Sequence, residues 1–106
     1  MYHFGEVVLL EYPYTDLSAV KLRPAIVLKD TNDADFITAR ITSQSRQTVY
    51  DKELKDWKLA GLLLPSIIRV HKIATIETRL VKRKMGKLSD ADLNTLSQRV
   101  KMLFDL

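Results

Sequence analysis

Lys21-Leu22-Arg23-Pro24-Ala25-Ile26-Val27-Leu28 is the stretch on which the fold turns. Residues 25–28 form an unbroken apolar run. With β-branched Ile26 and Val27 inside it, the run reads as a buried strand rather than a helix. Pro24 is then predicted to be the strand's first residue, where a missing N–H breaks no ladder bond. Proline also confines the residue before it to the β or polyproline region, so the backbone of Arg23 is held extended and its guanidinium starts from a fixed point at a sheet rim. On this stretch alone two readings stand, a rim arginine paired with a surface carboxylate and one aimed at a ligand.

On the N-terminal side, Val7-Val8-Leu9-Leu10-Glu11-Tyr12 follows Gly5-Glu6 and closes at Pro13, a β-rich run that predicts the first strand. Residues 14–20 are a loop that offers hydroxyls and the Tyr14 ring and runs into Lys21. On the C-terminal side, Asp30, Thr31, Asn32 and Asp33 lie in a turn-forming segment over 29–35. A third strand is expected over 36–42, entering the polar run Ser43-Gln44-Ser45-Arg46-Gln47-Thr48. Residues 49–54 predict a brief strand. A single helical turn follows, from Asp56-Trp57-Lys58 to near Gly61, with Trp57 as a cover on the core. Residues 66–76 form the longest β-like segment, and alternation from Ile68 assigns Ile68, Val70, Ala74 and Ile76 to one face and Arg69, His71, Ile73 and Thr75 to the other. Arg69 and His71 are thus expected to point the same way. Lys82, Arg83 and Lys84, with Lys87, make the densest basic patch, which reads as solvated surface. Ser89 and Asp92 resemble a capping box with Asp in place of Glu or Gln, and Leu93, Leu96, Val100, Leu103 and Phe104 recur at helical spacing, so 89–104 predicts one amphipathic helix. The class that results is a small, mostly antiparallel β protein with a terminal helix.

A chain of 106 residues with 46% hydrophobic and 28% charged residues suits a single globular domain over 1–106. Seventeen Lys and Arg against thirteen Asp and Glu give a formal charge of +4, which favours a polyanionic partner without identifying one. The absence of cysteine excludes disulfides, thiolate nucleophiles and sulfur-ligated zinc. His3 and His71 show no metal-binding spacing. The N-terminus has no basic region, and the apolar run over 7–10 is too short for a signal peptide or membrane span, so a soluble cytoplasmic protein is expected.

Three places carry candidate chemistry: Arg23, the Thr42-Ser43-Gln44 corner, and the Arg69/His71 pair. Hydroxyls at the end of a strand also serve as turn or cap groups. A histidine on a strand can simply satisfy a neighbour, although its reference pKa of about 6.5 suits proton transfer.

Taken in order, Gly5-Glu6-Val7-Val8-Leu9, Tyr14-Thr15-Asp16-Leu17-Ser18, Arg23-Pro24-Ala25-Ile26-Val27-Leu28, Ile41-Thr42-Ser43-Gln44 and Ala60-Gly61-Leu62 through Pro65-Ser66 resemble the PemK/MazF family of toxin endoribonucleases. The resemblance implies an SH3-like β-barrel of the CcdB/Kid/MazF type with a C-terminal α-helix, a homodimer, cleavage of single-stranded RNA without a metal or other cofactor, and a cognate antitoxin that blocks the site. By position, Arg23 matches the family's catalytic arginine and Thr42 its catalytic hydroxyl residue, with Ser43 beside them and Arg69 and His71 as auxiliary groups. Tyr14, Ser18, Lys21, Gln44 and Arg46 would line the RNA groove, cations meeting phosphates and the ring stacking on a base. Two departures stand out. The loop before Arg23-Pro24 is the shorter Ser18-Ala19-Val20-Lys21-Leu22, where many relatives carry a Gly- and Glu-containing loop. Arg69-Val70-His71 also stands where relatives often carry an acidic residue after the arginine. Two other functions would use the same fold: a toxin that poisons a protein such as gyrase, and a passive nucleic-acid-binding module. A toxin of the protein-poisoning kind would not need Arg23 and Thr42 together.

Overall fold

The computed structural model describes residues 1–13, 20–45 and 48–106. Six strands, β1 (Glu6–Pro13), β2 (Val20–Asp30), β3 (Asp35–Thr42), β4 (Asp51–Glu53), β5 (Ile67–Glu77) and β6 (Val81–Lys87), are followed by the helix α1 (Asp90–Leu103). The strands form one sheet in the order β4-β5-β3-β2-β1-β6, and every ladder is antiparallel. The architecture is the expected one, a mainly β sheet with a terminal helix. The sheet is not closed, because among the described residues its end strands β4 and β6 do not pair with each other.

Pro24 lies inside β2, opposite Leu9 of β1, and not at the strand's first residue. The ladder to β3 begins only at Ala25 opposite Arg40. The first half of β2 is therefore paired on one side alone, and there a residue without an N–H interrupts no second ladder. Extending the β2–β3 register by two rungs would set Pro24 opposite Ile41 and Arg23 opposite Thr42, but the two strands part before reaching them.

The alternation expected for β5 breaks in the middle. Ala39 faces Ile73 while the next residue, Arg40, faces Arg69, so residues 70–72 form a bulge, and at that point Val70 N–H bonds instead to the Tyr50 carbonyl. The bulge changes which face the strand buries. Ile68 and Val70 pack with Val7, Ile26, Ala39 and Ile41 in one cluster, whereas Ile76 packs against Val8, Leu10, Ala25, Val27 and Phe36 in the other. The basic segment after Leu80 is a strand, β6, at the sheet edge. Its run of lysines and arginine hides the β pattern and also blunts an edge that would otherwise invite pairing.

The helix lies close to its expected bounds, with Ser89 as N-cap and Phe104 as C-cap. Ser89 Oγ accepts the Asp92 N–H. The Asp92 side chain does not reach back to Ser89 as a capping box requires. It is buried, and it accepts the N–H groups of Lys55 at 3.0 Å and Asp56 at 2.8 Å. Those amides open a tight turn in which Gly61 N–H bonds the Lys58 carbonyl and Leu62 N–H the Trp57 carbonyl, a Schellman ending that needs the left-handed backbone of Gly61, φ 87°. Trp57 packs on the first core cluster. The turn rests against β6 so closely that a Cβ on Gly61 would lie 2.2 Å from the Met85 carbonyl oxygen.

Candidate functional site

Where β2 and β3 part, a cavity of about 540 Å³ opens. Arg23 and Pro24 border it from β2, the run from Arg40 to Gln44 from the end of β3, Arg69 from β5, and Leu62, Leu63 and Leu64 from the segment after the Gly61 turn. Arg23, Thr42, Ser43, Gln44 and Arg69 are thereby brought together around one cavity. Tyr14, Ser18 and Arg46 lie outside the described residues. Lys21 is exposed on β2 and does not border the cavity. His71 does not border it either. Its ring lies against Tyr50 with centroids 5.7 Å apart, and its Nδ1 is buried with no hydrogen-bond partner among the described residues. The expected side-by-side action of Arg69 and His71 at one site is thus not what the bulge produces.

Thr42 Oγ1 accepts the Gln44 N–H at 3.1 Å. This bond occupies an oxygen lone pair, fixes the hydroxyl at the strand's end and leaves its proton free to donate outward. Arg69 Nε donates to Asp51 Oδ1 at 3.0 Å, and the other carboxylate oxygen accepts both the N–H and the hydroxyl of Thr48, each at 2.9 Å. Burial alone would raise the pKa of Asp51. The Thr48 N–H and the Arg69 guanidinium outweigh it and hold the carboxyl below its ordinary value of 3.8. Arg99 of α1 ties the same segment down, donating to the Val49 carbonyl at 2.7 Å.

Cross-strand partners share a face of the sheet. Asp51 faces Arg69, Arg69 faces Arg40, and Arg40 faces Ala25, two residues along from Arg23. One row therefore carries a carboxylate and two guanidiniums, with Arg23 and Thr42 a step further along their strands. Sequence reasoning missed Arg40. Its place two residues before Thr42, on the same side of a strand, was the available signal. Guanidiniums can offer paired donors to an anion, and the leucines give the cavity an apolar wall.

A profile of the PemK-like, MazF-like toxins of type II toxin-antitoxin systems matches residues 3–104. The chain belongs to this family. No curated protein matches it, but solved structures of MazF-like toxins do. It is similar to an endoribonuclease in complex with its cognate antitoxin from a mycobacterial species, at 15% identity and a TM-score of 0.78, over 100% of this chain and 97% of that one. It is similar to the Mycobacterium tuberculosis toxin MazF-mt6, at 20% identity and a TM-score of 0.77, over 95% of this chain and 97% of that one. It is also similar to a MazE-MazF structure from Deinococcus radiodurans, at 15% identity and a TM-score of 0.77, over 97% and 95%. At these identities the likeness establishes the MazF-like fold, and family membership establishes a toxin of a type II toxin-antitoxin system. Among the described residues no helix is long and apolar enough to cross a membrane.

Proposed function

We propose that the protein is a sequence-selective endoribonuclease that cleaves single-stranded RNA without a metal. The ribose 2′-oxygen attacks the adjacent phosphorus as its proton leaves, the bond from phosphorus to the 5′-oxygen breaks, and that oxygen takes up a proton, so the products are a 2′,3′-cyclic phosphate and a 5′-hydroxyl. The observation that carries this reading is that Arg23 and Thr42, from strands that part just before them, border one cavity. Arg23 holds the phosphoryl oxygens on which negative charge builds, and the fixed Thr42 hydroxyl donates to the same group. Aligning nucleophile, phosphorus and leaving oxygen on a fixed strand contributes several kcal/mol of the roughly 7–11 kcal/mol that well-oriented intramolecular reactions gain. Ser43 and Gln44 extend the donor set, and Lys21, with Tyr14, Ser18 and Arg46, guides the strand toward it. Arg69, held in place by its pair with Asp51, serves as an auxiliary donor at the cavity wall, and His71, which does not border the cavity, has no direct contact with the reacting phosphate. The relatives seen with a cognate antitoxin support a protein antitoxin for this chain too. A homodimer and a cytoplasmic location complete the reading, and light scattering should return twice the chain mass of 12.2 kDa.

The test is to incubate the pure protein in EDTA with a mixed-sequence RNA and, separately, with the same oligomer built from 2′-deoxyribose. We expect cleavage of the RNA alone, leaving cyclic phosphate ends, and a loss on the order of a hundredfold in Arg23→Ala and in Thr42→Val. Binding without cleavage of either oligomer would instead indicate a passive nucleic-acid module, and no binding at all a poison of a protein target. A wild-type rate in Arg23→Ala would overturn the mechanism.

A further inference from the structure

Arg40 stands at the last rung of the β2–β3 ladder, directly opposite Arg69 on its other side. Like charges placed opposite each other weaken a sheet unless something offsets them. For Arg69 the offset is Asp51, next in the row at 3.0 Å. For Arg40 there is none: it is exposed, and among the described residues no carboxylate pairs with it. The row therefore presents a guanidinium with its charge uncommitted at the cavity wall. Side chains two residues apart on one face of a strand are separated by about 6.6–6.8 Å, which matches the step between neighbouring phosphates of an extended single strand. With the reacting phosphate at Thr42, the next phosphate along the chain falls within reach of Arg40.

We propose that Arg40 binds the backbone phosphate next to the scissile one and so sets the register of the RNA in the cavity. The proposal rests on the RNA-cleaving reading above. Arg40 takes no part in bond breaking; it grips a non-reacting phosphate, so its contribution falls on binding. Its fork suits two phosphate oxygens at once, which an ammonium cannot match.

The experiment compares wild type, Arg40→Gln, Arg40→Lys and a control of equal charge change, Lys101→Gln on the exposed side of α1. Affinity for the all-deoxy oligomer is measured across a salt series, and KM and kcat are measured on the RNA. Arg40→Gln should raise KM about tenfold with kcat within about twofold, and should reduce the slope of log K against log salt by about 0.7, the value for one phosphate contact on a single strand. Arg40→Lys should restore the slope but only part of the affinity, and Lys101→Gln should match wild type. An unchanged slope and KM in Arg40→Gln, or an equal loss in Lys101→Gln, would overturn the proposal, as would a fall in kcat with KM unchanged. If wild type cleaves and Arg40→Gln behaves like it, only the role of Arg40 fails. If wild type neither binds nor cleaves the oligomers, the RNA reading fails and Arg40 with it.

Discussion

Replacing Asp92 by alanine tests how the terminal helix holds the rest of the chain. The carboxylate is 1% exposed, accepts two backbone N–H groups at 3.0 and 2.8 Å, and has Lys52 Nζ at 3.7 Å. Removing it leaves two amides without an acceptor. A stranded buried donor costs about 1–3 kcal/mol, but these amides are only part-buried and water recovers some of the loss. Alanine's better helix propensity returns up to about 0.7 kcal/mol, and loss of an acidic side chain from the first helical turn costs about 0.3–1 kcal/mol. The net is about 2–4 kcal/mol, or on the order of 10–20 °C in Tm for a domain near this size. Urea titration followed by circular dichroism reads the change in the midpoint, and an unchanged m-value keeps the comparison valid. Asp92→Asn, which keeps one acceptor oxygen, should fall about midway. An Asp92→Ala midpoint within about 0.5 kcal/mol of wild type would refute the claim that this carboxylate joins helix and turn, since effects of that size are usual for surface changes without a structural role.

Gly61→Ala should destabilise by more than about 2 kcal/mol, because a left-handed backbone costs a non-glycine residue about 1–2 kcal/mol and the added Cβ meets the Met85 carbonyl oxygen at 2.2 Å; thermal melting checks this. Leu96→Ala, at a fully buried core position on α1, should cost about 2–5 kcal/mol, read by the same titration. The acid limb of stability has a fixed sign. Asp51 is held below 3.8, burial being outweighed by the Thr48 N–H and Arg69, and Glu6 below 4.5, burial being outweighed by Lys84 and the His3 N–H. Each contributes stability present above its unfolded-state pKa and lost as pH falls through the lower folded value. The urea midpoint should therefore drop below about pH 4.5, less steeply in Asp51→Asn and Glu6→Gln, and equal slopes in the variants would contradict the assignment.

The helix was legible because its signals are local: a serine cap at Ser89 and apolar residues at helical spacing up to Phe104. β1 and β3 were legible for a similar reason, their apolar and β-branched runs being bounded by turn residues. What escaped depends on partners distant in sequence. Pro24 sits mid-strand because β2 lacks a second neighbour there, a fact held in the β3 register and invisible in the β2 sequence. The bulge over residues 70–72 has no glycine or proline to mark it, so Arg69 and His71 looked like one pair when only Arg69 borders the cavity. β6 was hidden by the charges suited to a sheet edge. Asp92 looked like half of a capping box, and nothing near it in the sequence points to the amides of Lys55 and Asp56. The same non-locality explains why Arg40 was missed, since the role proposed for it rests on its facing Arg69 across a ladder.

Selection for stability alone would act against the cavity. Its mouth exists because β2 and β3 stop pairing at Ala25 and Arg40, and a residue with an N–H at position 24 could carry the ladder toward Thr42. Each new backbone hydrogen bond would contribute about 0.5–1.5 kcal/mol. A screen for thermostable variants would thus tend to enrich Pro24→Val or its like and recover a sturdier protein with its cleft zipped shut. The robustness of this fold and the proposed chemistry of its cleft pull on one proline in opposite directions.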